Sequence, residues 1–137
     1  MPSLSETIQS GGLKGNLLVT QCPSRQILKD VTSRWGVLVL IALQTGRLRF
    51  AELRRTVGGV SDRMLSQTLQ TLERDGFVSR TVYDVVPPHV EYSLTPRGCD
   101  VAELVRALAD WIENATPDIM AGKAPPPTES LSGITSD

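Results

Sequence analysis

Aromatic residues make up only 4% of this 137-residue chain, so aliphatic side chains must fill whatever core it has. Histidine occurs once, at position 89, and cysteine twice, at positions 22 and 99. There is no CxxC pair, no HExxH motif and no glycine-rich phosphate loop, and a lone histidine cannot build an all-histidine metal site. No enzyme activity, cofactor or metal is therefore expected. The longest apolar run, Val37 to Leu43, is seven residues, against the roughly 20 needed to cross a bilayer. The opening MPSLSETIQS has neither the basic n-region nor the apolar h-region of a secretory signal. The expected location is the cytoplasm, where Cys22 and Cys99 would be thiols rather than a structural disulfide.

What is present suits one globular domain: 40% hydrophobic and 21% charged residues on a chain too short for two independent cores. The net charge of −1 hides a polarised distribution. Residues 24–99 hold eleven Lys and Arg against seven Asp and Glu, whereas residues 100–137 hold two against seven. A basic centre beside an acidic end points to a polyanion-facing region joined to a segment with another task.

Residues 1–21 carry three glycines and no sustained period, and are read as an N-terminal arm. After Pro23, the apolar positions Ile27, Leu28, Val31, Trp35, Leu38, Val39, Ala42 and Leu43 recur at helical steps, with Ser33 placed to cap a second helix and Gly46 to end it. Arg47–Phe50 reads as a short lead-in strand and Ala51–Val57 as two helical turns with Leu53 and Val57 inward. Gly58 and Gly59 then turn the chain into a well-marked helix start, where Ser61 is the N-cap, Asp62 favours the dipole and Val60 can staple onto Leu65. The expected buried stripe of that helix is Met64, Leu65, Leu69 and Leu72, ending at Asp75 and Gly76. FVSRTVY and VEYSL alternate as the strands of a hairpin, with the proline-bearing DVVPPH at its tip. Thr95 and Pro96 start a last helix with Val101, Leu104, Val105, Leu108, Trp111, Ile112 and Ala115 at heptad-like spacing. Past Pro117 the composition is that of a disordered tail, 118–137. This order is that of a winged helix-turn-helix domain, 22–117, mainly α with a small β-hairpin wing and an added C-terminal dimerisation helix.

The stretch SRWGVLVLIALQTGRLRFAELRRTVGGVSDRMLSQTLQTLERDGFVSR, followed by VPPHVEYSLTPRG, closely resembles the HxlR-type regulators of bacteria. The resemblance spans residues 22 to about 113 and is carried jointly by the Trp35 segment, RFAEL at Arg49–Leu53, the LERDG helix end and the PPHVEYSLT strand. It implies a dimeric, DNA-binding transcription factor. Several members use a cysteine near the first helix to sense electrophiles or oxidants, a position matched by Cys22; Cys99 matches no general feature of the family.

Read residue by residue, the outer face of the helix after the turn offers Arg63, Ser66, Gln67, Gln70, Thr71 and Arg74, whose groups suit base edges and phosphates. Upstream, Arg47, Arg49, Arg54 and Arg55 could neutralise phosphates, Ser61 lies at the helix start, and His89 offers a donor in the wing. Asp62 repels phosphates while stabilising its helix. The bland alternative is a solvated polar face. Cys22 stands before a helix and near Arg25, which favours a thiolate, but the same position also suits a packed thiol. Cys99, in the first turn of the last helix, is open in the same way. Leu104, Leu108, Trp111 and Ile112 are the candidate dimer contacts. The expected function is binding of an inverted-repeat operator as a homodimer. The alternatives are a winged helix module that binds protein without DNA, and a regulator controlled by a non-covalent ligand.

Overall fold

Two helices separated by a single residue begin the ordered architecture seen in a computed structural model, which describes residues 16–122. Most of the expected arm (1–15) and tail (123–137) lies outside the described residues. Helix α1 spans Pro23–Thr32 and α2 spans Arg34–Leu43. Ser33 divides them because its backbone is extended and its Oγ accepts the Gly36 N–H at 3.0 Å, which starts a new helix. Val39, Leu40, Ala42 and Leu43 of α2 are buried, as is Val31 of α1. Ile27, Leu28 and Leu38, which recur at the same helical steps, are 43%, 42% and 39% exposed. The apolar positions wrap further round these helices than one contact face can cover.

Next come β1 (Leu48–Arg49), α3 (Phe50–Thr56), α4 (Asp62–Arg74), β2 (Val78–Tyr83), β3 (His89–Leu94) and α5 (Pro96–Met120). The sheet order is β1-β3-β2, all antiparallel, with Leu48 opposite Tyr92 and Val78 opposite Leu94. The hairpin thus gains a third strand from the short lead-in segment. This makes β3 central and accounts for its six uniformly half-buried residues where the sequence implies alternation.

Ser61 caps α4 through the Met64 N–H at 3.1 Å, and Leu65, Leu69 and Leu72 are buried. Met64 is not part of that stripe: it is 39% exposed, because one residue is about 100° of helix and carries it to the edge of the buried face. Gly76 leaves the helix with φ +84°. Thr95 then ties two elements together, its hydroxyl donating to the Gly76 carbonyl at 2.6 Å and accepting the Gly98 N–H at 2.9 Å. Gly98 allows α5 to sit directly on the Phe77 carbonyl, which a Cβ would overlap.

Helix α5 continues through Pro117 to Met120, so residues 118–120 are helical where a tail was expected. Proline removes one backbone donor but its φ is compatible with a final turn. By its packing the backbone divides into two compact units at Arg106 and Ala107. In the first, Ala102 and Val105 of α5 join the core formed by α2, α3, α4 and β2. In the second, Leu108, Trp111 and Ile112 are 53%, 63% and 46% exposed. The arrangement is a winged helix-turn-helix fold, with α3 and α4 as the motif and β2–β3 as the wing.

Candidate nucleic-acid interface

Burial of Leu65, Leu69 and Leu72 determines which side chains α4 presents outward. Arg63, Gln67, Gln70 and Arg74 form an exposed line at three- and four-residue steps, flanked by half-buried Ser66 and Thr71. Gln67 and Thr71 lie, with Met64, in a groove shared with Lys29 and Asp30 of α1, while Ser66 and Gln70 lie in one shared with Arg80 and Tyr92 of the wing. Arg80 was not singled out in the sequence, although a lone cation at an outward strand position was the available signal. Arg74 is engaged at ion-pair distance with Asp30 (3.5 Å) and Asp75 (3.6 Å).

Of the upstream arginines, Arg49, Arg54 and Arg55 are exposed on or beside α3, whose first turn is capped by the Glu52 carboxylate accepting the Arg49 N–H at 2.8 Å. Arg54 pairs across the motif with Asp62 at 3.0 Å, and exposed Ser61 stands next to that pair. Arg47 donates to the Tyr83 hydroxyl at 2.7 Å. His89 is no loop residue: it opens β3, stacks on Tyr83 with centroids 4.7 Å apart and lies 3.3 Å from the Glu91 carboxylate. Its ring is therefore occupied within the wing.

The two cysteines are free thiols in contrasting settings. Cys22 is the N-cap residue of α1 and is 9% exposed. Its Sγ is 2.7 Å from the Ser24 Oγ and accepts the Asn16 N–H at 3.1 Å. The Ser24 hydroxyl is the main cause holding the thiol below its usual range; burial opposes it, and the N–H groups of Ser24, Asn16 and Arg25 add to it. Arg25 acts through its backbone N–H, and its guanidinium donates to the Leu18 carbonyl at 3.4 Å. Cys99 is exposed and opens onto a groove of about 380 Å³ that includes Arg47, Ser93 and Glu103.

A model of the HxlR-like helix-turn-helix matches residues 30–120. This chain belongs to that family. The uncharacterized HTH-type transcriptional regulator YtfH of Escherichia coli (strain K12) is 60% identical over 119 residues, spanning 87% of this chain and 91% of its own length. Among solved structures, the putative transcriptional regulator ytfH from Salmonella typhimurium is 61% identical, with a TM-score of 0.76 over 80% of this chain and 97% of that one. The redox regulator HypR in its oxidized form is 38% identical, with a TM-score of 0.63 over 68% and 96%. This HxlR-like protein is thus a transcriptional regulator of the helix-turn-helix type, in a family of regulators and not of enzymes.

One feature of this HxlR-like chain was not legible as a site in its sequence. Asp30 of α1 and Asp75 at the end of α4 bring two carboxylates together, each with an Oδ2 that is buried without a hydrogen-bond donor. Burial, and then the neighbouring Asp30, pushes Asp75 up to about 6. The candidate dimer contacts read from the sequence, Leu104, Leu108, Trp111 and Ile112, are 70%, 53%, 63% and 46% exposed. Among the described residues no group of His, Cys, Asp and Glu is arranged to hold a metal, and no helix is long and apolar enough to cross a membrane.

Proposed function

We propose that the protein regulates transcription by binding an inverted-repeat operator as a homodimer, with α4 in the major groove. The observation that carries this reading is the exposed line Arg63, Gln67, Gln70 and Arg74, backed by a stripe that is wholly buried. Arg and Gln are suited to purine edges, while Arg49 and Arg55 beside the motif suit phosphates. Leu104, Leu108, Trp111 and Ile112 offer a second copy an apolar face of a kind that α-helical dimers bury. Two-fold symmetry then sets half-site centres roughly 34–36 Å apart or a multiple of that.

Binding to duplexes from the protein's own promoter, followed by fluorescence anisotropy across a salt series, tests the proposal. Gln67→Ala relaxes base preference, whereas Arg49→Ala and Arg55→Ala weaken all sequences alike and flatten the salt dependence. Retention of no duplex at all by the parent would favour the protein-binding alternative.

The same proposal assigns sensing to Cys22. Its lowered pKa favours the thiolate that attacks an electrophile or oxidant, and Cys22 lines a surface groove with Gln26, Leu28 and Lys29 of α1, where a modified sulfur would stand. The HypR structure is that of a protein named as a redox regulator. Operator affinity of the parent, Cys22→Ser and Cys99→Ser is compared before and after diamide. A response lost only in Cys22→Ser is expected; one lost only in Cys99→Ser moves the role to that thiol, and none in the parent points to a non-covalent ligand.

A further inference from the structure

The helix-turn-helix carries an acid where a DNA reader would be expected to avoid one. Asp62 is the first residue of α4, and its Oδ1 lies 3.0 Å from the Arg54 Nε of α3, with side chains 68% and 52% exposed. Both line a groove of about 780 Å³ between the two helices, together with Arg55 and Ser61. An ion pair so open to water adds little to folding. Asp62 also needs no arginine to hold α4, because the positive end of the helix and the Ser61 cap already stabilise that end. The pair's consequence is therefore electrostatic: an arginine of α3 that faces the groove is already neutralised from within the chain.

We propose that Asp62 is a specificity-setting residue, an internal competitor that holds Arg54 until a correctly seated DNA phosphate displaces it. The inference rests on the DNA reading above. When α4 docks in register, a phosphate enters the groove, Arg54 exchanges carboxylate for phosphate, and the gained contacts with Arg55 and Ser61 offset the exchange. On an unmatched duplex the backbone is not delivered to the groove. Arg54 then stays with Asp62, and the acid repels the nearest phosphates. Discrimination comes from penalising the wrong complex as well as from rewarding the right one.

The test measures affinity for operator and for random duplex across salt concentrations, using the full chain and the variants Asp62→Asn, Arg54→Ala, the double variant, and Asp100→Asn as a control of equal charge change on α5. Asn is an uncharged isostere at an exposed position, so the fold is retained, and thermal unfolding verifies it. Asp62→Asn should bind random duplex about two- to tenfold tighter, steepen the salt dependence by up to about one, and lower the operator-to-random ratio. In the Arg54→Ala background most of that gain should vanish. The inference is overturned if Asp62→Asn binds random duplex like the parent, if its gain survives undiminished without Arg54, or if Asp100→Asn gives an equal gain. If the parent binds no duplex under any salt condition, the DNA reading itself fails and takes this inference with it.

Discussion

Helices α4 and α5 carry the same kind of aliphatic stripe, at three- and four-residue spacing, and put it to opposite uses. In α4 the stripe of Leu65, Leu69 and Leu72 is buried against the chain's own core, so the polar remainder is the informative surface. In α5 Ala102 and Val105 are covered, whereas Leu104, Leu108, Trp111 and Ile112 stay 46–70% exposed, so there the apolar side is the informative one. Amphipathicity alone says that a helix has two faces. Which face is left for a partner depends on how much core the rest of the chain supplies.

The comparison is most severely tested by Leu69→Ala. Removing a side chain that is 2% exposed leaves a cavity between α4 and α2, and should cost about 2–5 kcal/mol in denaturant unfolding. A cost under about 1 kcal/mol would mean the α4 stripe is not the core it is drawn as here.

The end of α4 is next. Asp75, raised to about 6 from an ordinary 3.8, binds its proton more tightly folded than unfolded. Its contribution to stability is complete below about pH 4 and is lost as pH rises through about 6. Asp75→Asn should remove that dependence, so the stability difference between parent and variant changes across pH 4–7. A difference that is constant with pH would show that the Asp75 carboxyl is not raised by its setting.

For α5 the expected effects fall on association. Trp111→Ala should weaken the proposed dimer roughly 10- to 100-fold by sedimentation, while far-UV circular dichroism stays that of the parent. Leu104→Ala, at a position 70% exposed, should alter the unfolding free energy of the dilute monomer by no more than about 0.5 kcal/mol. A loss as large as that of Leu69→Ala would erase the distinction between the two helices.

Local chemistry made much of the fold readable. Ser33, Ser61 and Thr95 each cap the helix that their side chains suggested, and Gly46 and Gly76 end helices in the positive-φ backbone that glycine tolerates. The outer face of α4 was readable for the same reason, since helical periodicity assigns sides once three leucines mark the inner one. These are short-range rules, and the sequence by itself determined what they govern: element order, caps, turns and the polar line from Arg63 to Arg74.

Tertiary structure decided everything that depends on residues distant in the chain. No spacing rule joins Leu48 to Tyr92, yet that pairing makes β3 a central strand. None brings Asp30 beside Asp75, or turns Arg54 toward Asp62. Met64 carries an apolar side chain that the pattern counts as inward, Ile27, Leu28 and Leu38 fall at helical steps, and packing leaves all four at the surface. The physical reason is common to all of these. Capping and periodicity act over one or two turns of backbone, whereas burial and electrostatic pairing are set by the limited area that neighbouring elements can cover and by where the chain's return brings charge against charge.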